Sequence, residues 1–131
     1  MGSSITKGYK QLLKEANSEM KTIPIKEAMS LHDNDEYVFI DLRDIREIQR
    51  SGKIPGSFSC PRGMLEFWID PESPYHKDIF SEKKHFLFYC ASAWRSALST
   101  KAAKDMGLTN VSHIEGGFTN WEKSGGKIEK I

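Results

Sequence analysis

The apolar positions of this chain change period several times, and each change predicts an element. Over residues 5–20, Ile5, Tyr9, Leu12, Leu13, Ala16 and Met20 recur at helical spacing, which predicts an amphipathic helix. Two continuous runs follow later: Tyr37-Val38-Phe39-Ile40 ends on Asp41, and Phe86-Leu87-Phe88-Tyr89 ends on Cys90. Short apolar runs of this kind are expected of strands buried on both faces. Shorter strands are predicted over 22–25, 57–60 and 110–114. Helices are predicted over 26–31, 43–50, 61–68, 96–106 and 116–123. In the 96–106 segment Leu98, Ala102 and Met106 share one face, and Gly107 ends the pattern. In the 43–50 segment Glu47 stands four residues after Arg43, a pairing distance on a helix. Residues 70–84, with Pro71 and Pro74, read as a long loop with one helical turn.

Strands alternating with helices predict an α/β fold, with a mainly parallel five-stranded sheet and helices on both faces. The organisation expected is an N-terminal helical extension, residues 1–21, packed on a single domain over 22–131. The opening Met1-Gly2-Ser3-Ser4 carries no structural signal of its own.

Composition narrows the function classes. With 131 residues the chain can bury a core without disulfides or metals, and 38% hydrophobic with 28% charged residues fits a globular protein. A formal net charge of +1 gives no bulk attraction to nucleic acid or anionic membranes, so neither is an expected partner. No apolar run approaches a membrane span, and no signal-peptide core precedes the first charges. Two cysteines, Cys60 and Cys90, make no disulfide framework, and a reducing cytoplasm is the expected location. The histidines His32, His76, His85 and His113 lack metal-ligand spacing and are expected at the surface or at strand ends.

In a parallel sheet, ligands bind at the carboxyl ends of the strands. Asp41, Cys60, Cys90 and Glu115 fall at such ends. Of these, Cys90 carries the chemistry: it ends a buried strand and faces the start of a helix, where the dipole and unpaired N–H groups favour a thiolate. The small residues Ala91, Ser92 and Ala93 let the loop curl into an anion nest, and Arg95 is placed to close it. Ser96 is expected to cap the following helix, and its first turn holds no acidic residue. Trp94 at the loop tip is a packing residue or a pocket wall. Cys60, on the neighbouring strand, reads as an inert half-buried thiol, the alternative being a partner that resolves or pairs with Cys90.

From about residue 22 to residue 126 the chain resembles the single-domain rhodaneses, sulfurtransferases of the thiosulfate:acceptor type. Asp41-Leu42-Arg43, Glu47 and Gly52-Lys-Ile-Pro-Gly-Ser57 are similar to the family's first signature, and Cys90-Ala-Ser-Ala-Trp-Arg95-Ser96 to its active-site loop. Gly107, Val111 and Glu115-Gly-Gly-Phe118 with Trp121 resemble its C-terminal signature. Two positions depart from the pattern: Ala93 stands where the family often has glycine, and Lys53 where it usually has histidine before Ile-Pro-Gly. The resemblance implies a two-step transfer through a persulfide on Cys90, from thiosulfate or a similar donor to cyanide or a thiol, with no metal or organic cofactor. It places the substrate among Ala91, Ser92, Ala93, Trp94, Arg95 and Ser96, with Asp41 near the pocket floor and Arg43 in a structural pair with Glu47 or Asp41. Arg46 and Arg62 are candidates for attracting the donor dianion, and Phe67 and Trp68 are core residues or line the pocket mouth. A second reading is a persulfide carrier or regulatory module serving a protein partner. A third is a phosphatase or arsenate reductase, whose loops carry five residues between cysteine and arginine rather than the four found here.

Overall fold

The computed structural model describes residues 4–131; the first three residues of the expected extension lie outside them. In chain order the elements are α1 (Tyr9–Ser18), β1 (Thr22–Ile23), α2 (Ile25–Leu31), β2 (Tyr37–Asp41), α3 (Ile45–Ser51), β3 (Phe58–Ser59), α4 (Leu65–Ile69), β4 (His85–Tyr89), α5 (Trp94–Asp105), β5 (Val111–Ile114) and α6 (Gly117–Lys123). Single 3-10 turns at Arg62–Met64 and Asp78–Ser81 precede α4 and β4.

The strands form one sheet in the order β1-β5-β4-β2-β3, with every neighbouring pair parallel. The sheet is therefore wholly parallel. Side chains alternate across it as the pleat requires. Phe86 and Phe88 of β4 pack with Ile40, with Leu65 and Ile69 of α4 and with Ala103 of α5. Leu87 and Tyr89 pack on the other side with Phe39, Ala28 of α2 and Phe118 and Trp121 of α6. Both faces of β4 are thus dry, which is why its sequence shows no polar alternation.

Several boundaries move for identifiable reasons. The helix expected over 43–50 begins at Ile45, because Asp44 caps it: the Asp44 carboxylate accepts N–H bonds from Arg46 and Glu47, and the Glu47 carboxylate accepts that of Asp44. Arg43 is left before the helix, 2% exposed, and is free to turn inward. The helix expected over 96–106 begins two residues earlier, at Trp94, with Ala93 as its cap residue. Ser96 is therefore inside the first turn and does not cap it. The C-terminal tail adds an unforeseen contact, an antiparallel bridge between Lys53 and Glu129.

Candidate functional site

Cys90 follows the last residue of the central strand, and its side chain is almost fully enclosed (1% exposed). Its sulfur accepts the N–H of Ala93 at 3.2 Å and of Ser96 at 3.4 Å. Ser96 is the third residue of α5, so the thiol occupies the place of a capping oxygen at that helix N-terminus. The chain reaches this position through Ala93, at φ 87° and ψ 3°, the one non-glycine with positive φ among the described residues. This backbone disfavours any side chain, which explains glycine as the common choice there.

The loop's outer edge rests on α6. The Cys90 carbonyl accepts the N–H of Phe118 at 2.8 Å, and the Ala91 carbonyl that of Thr119 at 3.1 Å. Both peptide groups are trans, so the N–H groups of Ala91 and Ser92 lie on the side away from α6. Gly117 makes this approach feasible: at φ 62°, a Cβ there would stand 2.5 Å from the Cys90 carbonyl oxygen and 2.7 Å from that of Ala91. The Gly116-Gly117 pair was visible in the sequence, but its job of seating the cysteine loop was not.

Arg95 is held by Glu47. Its two terminal nitrogens donate to the two Glu47 oxygens, both at 2.8 Å. Hydrogen bonding from Arg95 is the main reason the Glu47 carboxyl is pushed down to about 2, against a smaller opposing effect of burial. The same pair makes the Arg95 guanidinium still more basic, with the nearby Cys90 adding to it. Glu47 thus ties α3 to α5 beside the cysteine loop. The spacing argument that paired Glu47 with Arg43 missed this, because Arg43 lies outside the helix.

Arg43 instead pairs with Asp41, as the second option in the sequence had it. The guanidinium donates to both Asp41 oxygens, at 3.0 and 2.8 Å, to Ser51 Oγ and to the Gly52 carbonyl, and lies 4.2 Å over the Phe118 ring. Tyr89 Oη donates to Asp41 Oδ2 at 2.8 Å and meets Ser57 Oγ at 2.9 Å. Burial opposes the charge on Arg43, but the Asp41 pairing outweighs it and leaves the group more basic than usual. Both Asp41 oxygens are thus committed to Arg43 and Tyr89, in a network under the sheet's carboxyl edge.

The remaining candidates divide by position. Trp94 is half exposed, with its ring 5.1 Å from that of Tyr9 on α1. Ser92 is exposed at the loop tip. Arg46 is 81% exposed and lies 3.6 Å from Asp44. Arg62 is paired with Glu66 at 3.0 Å. Both arginines thus have a carboxylate neighbour. Cys60 is fully buried, and burial pushes its thiol up to about 12, as fits an inert core cysteine. Phe67 is exposed, whereas Trp68 packs on the core beside Phe58. His113 departs most from expectation: it is 2% exposed, and desolvation pushes its imidazole down to about 4. Among the described residues no cluster of His, Cys, Asp or Glu is suited to a metal ion, and no helix is long and apolar enough to cross a membrane.

The chain is similar to several known proteins. A protein from Rhodopseudomonas palustris, described as a possible tyrosine phosphatase, has a structure similar over 98% of this chain and 99% of its own, with 58% identity and a TM-score of 0.96. Human single-domain sulfurtransferase TSTD1 is similar over 78% of this chain and 95% of its own, with 25% identity and a TM-score of 0.66. The mouse thiosulfate sulfurtransferase/rhodanese-like domain-containing protein 3 is 28% identical over 109 residues, 79% of this chain and 69% of the mouse protein. The rhodanese-like domain family matches residues 25–124, which takes in every strand end of the site from β2 onward. The chain belongs to the rhodanese-like domain family.

Proposed function

We propose that the protein is a sulfurtransferase that carries sulfane sulfur on Cys90, with thiosulfate or a similar donor and with cyanide or a thiol as acceptor. The observation that carries the reading is the Cys90 sulfur itself, accepting two backbone N–H groups in a loop with four residues between Cys90 and Arg95. Preorganised N–H donors of this kind favour charge on sulfur in the thiolate and on the outer sulfur of a persulfide.

In the first step the Cys90 thiolate attacks the outer sulfur of thiosulfate. A bond forms between the two sulfurs, the bond to the sulfonate sulfur breaks, and sulfite leaves with that electron pair. In the second step an acceptor thiolate or cyanide attacks the outer persulfide sulfur and leaves as a persulfide or thiocyanate, returning the thiolate on Cys90. A reducing cytoplasm would keep both cysteines as the free thiols found here.

A phosphatase needs its loop arginine directed at a tetrahedral oxyanion. Here both terminal nitrogens of Arg95 are committed to Glu47, and the loop is one residue shorter than the phosphatase pattern. The geometry therefore favours a single sulfur over a phosphate.

The test is intact-mass measurement after incubation with thiosulfate, beside a thiosulfate:cyanide assay, on native protein and Cys90→Ser. A gain of one sulfur that disappears in Cys90→Ser supports the reading. No gain from thiosulfate, mercaptopyruvate or a persulfide donor overturns it. Sulfur gain without cyanide turnover would assign a carrier serving a protein acceptor, and phosphate release from an aryl phosphate would assign the phosphatase.

A further inference from the structure

One buried titratable group has no part in the sulfur transfer just described. His113 sits in β5 on the face turned to α5 and links the buried Ser96 to Thr22 and Asn17, which are exposed at the surface. Its Nδ1 is 3.0 Å from Ser96 Oγ, and its Nε2 is 3.0 Å from Thr22 Oγ1 and 3.2 Å from Asn17 Oδ1. Asn17 belongs to α1, Thr22 to β1 and Ser96 to α5. Deeply buried and away from any carboxylate partner, the imidazole is neutral, so one ring nitrogen donates and the other accepts. The Asn17 carbonyl oxygen can only accept, which puts the proton on Nε2 and leaves Nδ1 to accept the Ser96 hydroxyl.

Ser96 is also the residue whose N–H meets the Cys90 sulfur at 3.4 Å. Its side chain therefore points one way, to His113, and its amide the other, to the thiol. Rotation of the first turn of α5 would break both bonds together. We propose that His113 is a positioning residue for Cys90: it ties Ser96 to β5, β1 and α1, and so fixes the helix N-terminus on the reactive sulfur. The proposal rests on the sulfurtransferase reading only for its choice of substrate. It also gives α1, which precedes the matched family segment, a defined part in the site: α1 supplies Asn17 to the imidazole and Tyr9 to the Trp94 ring.

The two ends of the imidazole can be tested apart. In His113→Asn the shorter amide keeps a polar group near the Nδ1 position, facing Ser96. In His113→Gln the longer amide keeps one near Nε2, facing Asn17 and Thr22. Both variants exchange a buried ring for an amide, so a general loss of packing is common to them. The readouts are the single-turnover rate of sulfur loading from thiosulfate by intact mass, and the rate of Cys90 alkylation by iodoacetamide by peptide mapping. Urea midpoints identify any variant that fails to fold.

Loss of one neutral hydrogen bond corresponds to about a fivefold change in rate. His113→Gln is expected to slow both reactions by about that factor, His113→Asn to restore them to within about twofold, and Ser96→Ala to match His113→Gln. Combining Ser96→Ala with His113→Gln should then cost little more than either alone. Equal rates for the Asn and Gln variants, or losses that multiply in the double variant, would overturn the proposal. Alkylation needs no sulfur donor, so it tests His113 even if thiosulfate loads no sulfur and the sulfurtransferase reading fails.

Discussion

Replacing Glu47 with glutamine separates the two jobs this carboxylate does. Glutamine retains an oxygen for the Asp44 N–H, so the capping box of α3 survives. What it loses is the charge opposite Arg95 and one of two bonds at 2.8 Å. The Glu47 carboxyl stands at about 2 against an ordinary 4.5. At about 1.4 kcal/mol per pH unit, that depression sets an upper bound of roughly 3.5 kcal/mol on what the charged form adds to stability. The side chains of Arg95 and Glu47 are 39% and 19% exposed, so water screens the pair and about 1–1.5 kcal/mol is the reasonable expectation. The sign follows from the direction of the shift. A carboxyl depressed in the folded state stabilises above its unfolded pKa, and that contribution is lost as pH falls from about 4.5 toward 2. Urea unfolding of native protein and Glu47→Gln should thus differ by about 1 kcal/mol at pH 7, by less at pH 3, and converge as pH approaches 2. A gap that is absent at pH 7, or unchanged at pH 3, would refute the role given to this pair.

Three further outcomes follow from the site. Ala93→Gly removes a side chain from φ 87°. Relief of about 1 kcal/mol is offset by the glycine's greater freedom when unfolded, so urea melts should show a change between zero and about 1 kcal/mol of stabilisation. A loss above 1 kcal/mol would contradict the left-handed backbone. Gly117→Ala puts a methyl 2.5 Å from the Cys90 carbonyl oxygen, in a backbone region hostile to side chains. It should cost about 2–4 kcal/mol and most of the sulfur-loading rate, so a variant with native stability and rate would show that the loop does not rest on α6. His113, pushed down to about 4 by burial, stays neutral while the unfolded chain takes up a proton near 6.5. Stability should therefore fall by about 2–3 kcal/mol between pH 6.5 and 4. His113→Asn should remove that slope, and an identical slope in the variant would assign it to other groups.

The parts of the fold legible in the sequence were those with a strong period or a sharp boundary. The runs ending on Asp41 and Cys90 read as buried strands because both faces of β2 and β4 are dry. The departures have three causes: a local cap, a strained backbone and long-range contacts. Asp44 and Glu47 start α3 two residues late, which releases Arg43 to Asp41 and Glu47 to Arg95. Ala93 takes a left-handed turn that a propensity argument excludes for alanine, so α5 starts two residues early and Ser96 is freed from capping. His113 lies in a buried strand with partners 17, 91 and 96 residues away, and no spacing rule reaches that far. The cysteine loop was legible because its signal is local, and the long-range contacts around it were not.

That division has a physical reason. A strand-to-helix junction has carbonyls as well as N–H groups, and an unsatisfied carbonyl facing the sulfur would cancel the field of the amides. Here α6 takes up the Cys90 and Ala91 carbonyls from outside. Because a trans peptide sets its N–H opposite its carbonyl, drawing those oxygens toward α6 turns the partner amides away from it. The Gly116-Gly117 start of α6 and the Cys90 loop therefore form one device, although 26 residues separate Cys90 from Gly116. Tightening the grip of α6 on the carbonyls orients the amides better, and loosening it lets the loop present oxygens to its own thiolate. On this view the Gly117→Ala change should harm sulfur loading more than an equal loss of stability placed elsewhere in the sheet. Comparing it with a core truncation of matched cost, such as Ile48→Ala on α3, separates the two effects, and equal rates in the two variants would show that only global stability matters.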